Sequence, residues 1–431
     1  MARLLYIKNA SQLITVKGHS DQPAKKEKMR EIGVIEGGSV LAENGKIIAV
    51  GTDEEIQKEH AAKVKEAEVI DATGKIVTPG LIDPHTHIVH AGTRENEYAM
   101  RLKGKTYMEI MNAGGGIYAT TRATQAATFD EIYEQTKIRL DKMLKGGITT
   151  VESKSGYGLT LEHELKQLEV TKKLNEDHPI DLVSTFMGAH AVPVEYKENP
   201  DEFVDIVIND MLPVVAEKEL AEFNDVFCEE GVFTPEQSRR ILEAGKKYGL
   251  KPKIHADEIV PYGGAEVAAE VKAVSAEHLL KASDKGIEMM AEQDVIGVLL
   301  PGTAFFLMAE YAQARKMIDR GVAVALSTDA NPGSSPTLSL QFIMNLGCLN
   351  MGMTPEEVIT ASTINAAHAI DRADVIGSIE VGKNADFTIF DVHNYLMLSY
   401  QYGMNHVHSV VKNGVLVVED GHIVETSKVA R

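Results

Sequence analysis

His85 and His87 end a short apolar run, Val77-Thr78-Pro79-Gly80-Leu81-Ile82-Asp83-Pro84-His85-Thr86-His87. In extended backbone, residues i and i+2 point to the same side, so both imidazoles can reach one ion. Imidazole suits zinc, iron and their neighbours. Solvent-facing histidines also fall at this spacing by chance, so the pair needs company. Other polar residues stand at the ends of apolar runs further along: His190 in Phe186-Met187-Gly188-Ala189-His190, His255 in His255-Ala256-Asp257-Glu258, His278 after Glu277, and Asp329 in Ser327-Thr328-Asp329. Three histidines and an aspartate make a mononuclear site that leaves a position for water. His85, His87, His255 and Asp329 are the predicted ligands. Glu258 and His278 are then free to move protons, and Asp329 can do so beside the water.

Eight runs read as the strands that must carry these groups: Ile76–Ile82, Ile148–Glu152, Leu182–Met187, Asp225–Cys228, Lys253–His255, Ala273–Ala276, Val295–Leu300 and Val322–Ser327. Amphipathic stretches lie between them, among them Phe129–Leu144, Leu161–Leu174, Pro235–Tyr248 and Ala304–Arg320. A spacing of roughly 35 residues per unit suits a (β/α)₈ barrel, whose active site lies at the C-terminal ends of its strands. The ends of the chain read differently, as short strands and turns with a hairpin signal at Asn413-Gly414. The predicted fold class is α/β: a (β/α)₈ TIM-like barrel over 76–370, plus a small β-sandwich domain built from the N-terminal segment 1–75 and the C-terminal segment 371–431.

This pattern resembles the metal-dependent amidohydrolase superfamily over nearly the whole chain. The likeness includes the Pro-Gly-Leu-Ile-Asp-Pro-His-Thr-His entry, the histidine of strand five, the aspartate of strand eight and the closing Gly377-Ser378-Ile379-Glu380-Val381-Gly382-Lys383-Asn384-Ala385-Asp386-Phe387. Members with a binuclear centre carry a bridging carbamate on a lysine of strand four. Here that strand reads Asp225-Val226-Phe227-Cys228-Glu229-Glu230, and Lys154 follows strand two, so one ion per subunit, zinc or iron, is expected. Glu152-Ser153-Lys154-Ser155-Gly156-Tyr157-Gly158, Phe186 to Pro193 and Ser327 to Ser334 are similar to the branch that opens an imidazolone ring bearing a propanoate arm. That resemblance implies that Arg94, Tyr157 and His190 contact the substrate, with Glu258, Asn331, Gly333 and Ser334 completing the pocket. The planar fork of Arg94 suits a carboxylate, while a salt bridge to Glu95 or Glu97 is its alternative use. The glycine-rich Asn112-Ala113-Gly114-Gly115-Gly116-Ile117 has the flexibility of a lid or of a substrate-facing loop.

With 431 residues, 44% of them hydrophobic, the chain can bury a large core. A net charge of −19 disfavours a nucleic-acid partner, and a small anionic substrate must be held by locally placed cations. Two cysteines, Cys228 and Cys348, exclude a disulfide scaffold. No run approaches the roughly 20 apolar residues that span a bilayer. These features predict a cytoplasmic enzyme without a membrane partner, with a homodimer as the default assembly. An aminohydrolase acting on a cytosine- or guanine-like ring is the nearest rival, and it has no need of Arg94. A catalytically dead scaffold is the rival from another class, and it would have no reason to keep four ligand candidates.

Overall fold

The computed structural model describes residues 2–105, 109–110 and 113–424. Eight parallel strands run in sequence order around a barrel: Leu81–Asp83, Ile148–Lys154, Asp181–Ala189, Phe223–Cys228, Lys251–Ala256, Ser275–His278, Ile296–Leu299 and Val324–Leu326. The first and last are not laddered to each other along their length. Side chains join them instead. Asp83 accepts from the Ser327 hydroxyl, from Thr328 N at 3.0 Å and from Thr328 Oγ1 at 2.6 Å. His87 N donates to Ala330 O at 3.0 Å just beyond.

The strands form where apolar runs are flanked by helices on the outer face. Phe129–Lys145 begins at Thr128, whose side chain accepts from Glu131 N while Glu131 returns the bond. Its Ile132, Thr136, Leu140, Met143 and Leu144 recur at helical spacing and are buried. Each large aliphatic side chain buried this way contributes about 1.5–3 kcal/mol. Pro235–Lys247 starts in the same manner at Thr234 with Gln237.

The terminal segments meet in one mixed sheet of nine strands. Leu4–Ile14 lies in its middle, antiparallel to Val34–Glu43 and parallel to both Glu68–Asp71 and Ile76–Pro79. Phe387–Phe390 pairs antiparallel with Ile76–Pro79, and Val407–Lys412 continues the sheet outward. The hairpin turns carry Asn44 (φ 50°) with Gly45 (φ 82°) and Asn413 (φ 49°) with Gly414 (φ 69°), as two-residue turns with both φ positive require.

Three predicted stretches differ. Ile76–Ile82 is not one barrel strand: Ile76–Pro79 belongs to the small sheet, and Gly80 hands the chain to Leu81–Asp83. A Cβ on Gly80 would collide with the Thr149 side chain, so only glycine lets the two sheets come this close. Ala304–Arg320 is likewise two helices, Pro301–Leu307 and Ala314–Arg320, because Met308 takes a left-handed conformation (φ 54°) and ends the first. Asp53–Glu66 is a helix inside the region predicted as strands and turns. Among the described residues, no helix is long and apolar enough to cross a membrane.

Candidate metal centre and active site

The strand ends bring the predicted ligands together. His87 Nε2 and His255 Nε2 face each other at 3.2 Å. Asp329 Oδ1 lies 3.3 Å from His85 Nε2 and 3.7 Å from His87 Nε2. Donors about 2.0–2.1 Å from one tetrahedral ion stand about 3.3–3.4 Å apart, and these separations match that spacing. His85 Nε2 is buried without a hydrogen-bond partner, as is His87 Nδ1. The unpartnered His85 Nε2, 3.3 Å from Asp329 Oδ1 and grouped with ring nitrogens of His87 and His255, fits a cation.

The outward nitrogens of two of the histidines are fixed by carboxylates. His85 Nδ1 donates to Glu277, and His255 Nδ1 donates to Asp225 Oδ1 at 3.2 Å. Such partners set the tautomer and leave Nε2 for a metal. Burial works against a charge on His85, but the Glu277 carboxylate outweighs it and raises the imidazole to about 9. Burial likewise opposes ionisation of Asp329, yet the neighbouring His85 imidazole holds it down at about 2. Its second oxygen accepts from Thr303 Oγ1 at 2.6 Å.

Behind this layer lies a group of charges that the sequence did not single out as functional. The Lys154 ammonium is fully buried, 2.9 Å from Glu152 Oε1, 2.8 Å from Asp225 Oδ2 and 3.0 Å from Glu277 Oε2. Lys253 reaches the other Glu277 oxygen at 3.0 Å. The only sequence signal was alternation. Glu152 with Lys154, Lys253 with His255, and Ser275 with Glu277 each sit two apart on a strand, facing inward together.

The proton-handling candidates stand at the other side of the ion position. His278 Nε2 is 3.6 Å from Glu258 Oε2. Burial, then the negative Asp329 and Glu229, push Glu258 up to about 8. Burial first of all lowers His278 to about 3, which leaves it neutral. Glu229 holds the Glu258 loop by accepting from Ile259 N at 2.8 Å and Val260 N at 3.2 Å. Asp257 secures the same turn through Tyr262 N and Gly263 N, both at 2.8 Å.

The predicted substrate contacts gather on the opposite wall. The His190 ring stacks on His87 with centroids 4.8 Å apart, and its Nδ1 donates to Gly156 O at 3.0 Å. Tyr157 lies 5.3 Å from His190 and 5.9 Å from His87, ring to ring, and burial raises its phenol well above its ordinary value. Arg94 pairs with Glu97 through Nε at 3.0 Å and Nη2 at 2.8 Å, so the alternative partner named from the sequence is present. Its guanidinium also rests against Gly333, where any Cβ would run into it. Asn331 does not reach outward. Its Oδ1 accepts from Gly333 N and Ser334 N at 2.8 Å, and its Nδ2 donates to Asp329 O at 2.7 Å. It shapes the loop that carries Gly333 and Ser334. Of the predicted lid, Asn112 lies outside the described residues, and Gly116 N donates to Glu97 Oε1 at 3.0 Å.

A model of the amidohydrolase family matches residues 76–417. The imidazolonepropionase of a Geobacillus species is 67% identical over 421 residues, covering 98% of this chain and 99% of its own. That of Brevibacillus brevis is 67% identical over 423 residues, covering 98% and 100%. Among solved structures, a triazine hydrolase variant superposes with a TM-score of 0.75 at 19% identity, covering 99% of this chain and 97% of its own. E. coli guanine deaminase superposes with a TM-score of 0.71 at 16% identity, covering 96% and 99%. At those identities the likeness is one of fold. A (β/α)₈ barrel with a histidine–aspartate centre at its mouth and a sheet from both termini is the architecture of the amidohydrolase family. The chain belongs to that family. Within it, the full-length matches place the chain among the imidazolonepropionases.

Proposed function

We propose that this chain hydrolyses the cyclic amide bond of 4-imidazolone-5-propanoate, a step of histidine degradation, to give N-formimidoyl-L-glutamate. The observation that carries the reading is the cluster of His85, His87 and His255, with Asp329 Oδ1 3.3 Å from His85 and 3.7 Å from His87, His278 grouped with His85 and Asp329, and Glu258 beside His278. Those four donors would hold one zinc or iron ion per subunit. When bound, the ion lowers the pKa of a water toward neutrality and polarises a carbonyl.

The chain's own residues do the rest. Asp329, ionised beside His85, accepts the proton of the attacking water. The water oxygen adds to the ring carbonyl carbon, and the ring C–N bond breaks. Glu258, protonated at neutral pH, delivers a proton to the departing nitrogen. His278, neutral, steadies the carbonyl oxygen as charge builds on it. Arg94 offers the fork edge not taken by Glu97 to the propanoate carboxylate. Tyr157 and His190 would line the ring's place, with Gly333 and Ser334 on the facing loop.

Loss of the ring's ultraviolet absorbance in freshly prepared substrate, with mass-spectrometric confirmation of the product, tests the reading. Turnover is expected to vanish with a chelator. Arg94→Met is expected to raise KM at least tenfold while sparing kcat. Ammonia release from a purine or pyrimidine, with the imidazolone untouched, would replace the reading by deamination.

We also propose a homodimer. Its support is a set of large apolar side chains left exposed, Leu102, Phe305, Met308 and Leu349 among them. Sedimentation at the mass of a single chain would remove it.

A further inference from the structure

Beside the histidine–aspartate centre, Asp225, His255 and Glu277 form a second group able to hold a cation, with ligand atoms within 4.8 Å of one another. Something already stands there. Lys154 Nζ lies 2.8 Å from Asp225 Oδ2 and 3.0 Å from Glu277 Oε2, and Glu152 Oε1 completes its surroundings at 2.9 Å. All four side chains are shielded from solvent. An ammonium has three donors and no acceptor, and three carboxylates take all three. Lys253 does not share this position. It approaches Glu277 from the far oxygen and otherwise meets Ser275 Oγ at 2.8 Å.

We propose that Lys154 is a built-in cation, its ammonium filling a second metal position between Asp225, Glu277 and Glu152 and so restricting the centre to one ion. The inference rests on the metal reading given above. Two of the three carboxylates around the ammonium also accept from a ligand histidine, Asp225 from His255 and Glu277 from His85. A fixed positive charge keeps them anionic, so both imidazoles present Nε2 to the ion. Without that charge, buried carboxylates would stand uncompensated, a costly arrangement. Oxygen donors of this kind readily take a divalent ion, and the vacated position lies between them.

The test counts cobalt(II) retained per chain after gel filtration, by atomic emission, at a tenfold excess during loading. Wild type is expected to hold one equivalent and Lys154→Ala two. The pair Glu152→Gln with Lys154→Ala removes one charge of each sign and is also expected to hold two, which covers the case in which the single variant does not fold. One equivalent in a folded variant overturns the inference while the metal reading stands. Two equivalents in the wild type overturn it as well. No cobalt in the wild type removes the metal reading, and this inference with it.

Discussion

Glu258 carries a prediction that its environment sets. A carboxyl pushed up to about 8 by burial, and then by Asp329 and Glu229, is neutral at pH 7 and can donate. Because its pKa is raised, the donor form is present below pH 8 and lost above it. The expected profile is a fall in kcat/KM of about tenfold per pH unit on the alkaline side, read across pH 6–10. Glu258→Gln keeps the shape without a transferable proton, so kcat should drop by about 10²–10⁴-fold. Near-normal turnover would move the role to His278 or Asp329. The residues that a short motif announces were legible: His85 and His87 two apart on extended backbone, His255 and Glu258 one turn of loop apart, Asp329 after an apolar run. Glu152, Lys154, Asp225 and Glu277 were not legible as a group. An inward charge on a strand looks like any polar alternation until the barrel closes and supplies its partners. Arg94 was legible in both its uses, and of the two neighbouring glutamates named from the sequence it pairs with Glu97.

Among the elements, Gly80 has the most to lose. It joins a strand of the small sheet to the barrel strand that leads to His85, and the Thr149 side chain fills the space where a Cβ would go. Gly80→Ala should cost about 1–3 kcal/mol by forcing the two apart, read as a lower urea midpoint. A midpoint equal to wild type would show that the junction is slack. Apolar runs located all eight barrel strands, yet an unbroken run from Ile76 to Ile82 gives no sign that two sheets share it. The amphipathic reading of Ala304–Arg320 also hid the break at Met308, where the chain turns left-handed between two helices. Asp53–Glu66 had a legible start in Thr52 and Glu55, whose capping box is formed.

At the scale of the whole molecule, an ion bound only by the folded state stabilises that state. Free ion at a thousandfold excess over Kd contributes about 4 kcal/mol, so chelation should lower the unfolding temperature by several degrees in calorimetry. Identical traces with and without chelator would sink the metal centre. The sheet that unites the two ends of the chain also has a consequence for the order of events during synthesis. Ile76–Pro79 gains its second neighbour only when Phe387–Phe390 arrives, and Asp83 meets Ser327 and Thr328 only when the last barrel strand does. On the ribosome, where chains fold as they emerge, the histidine pair therefore remains unanchored until nearly the whole message has been read. A chain cut short before Val324 keeps His85 and His87 but lacks Asp329 and the two residues that grip Asp83 beside them.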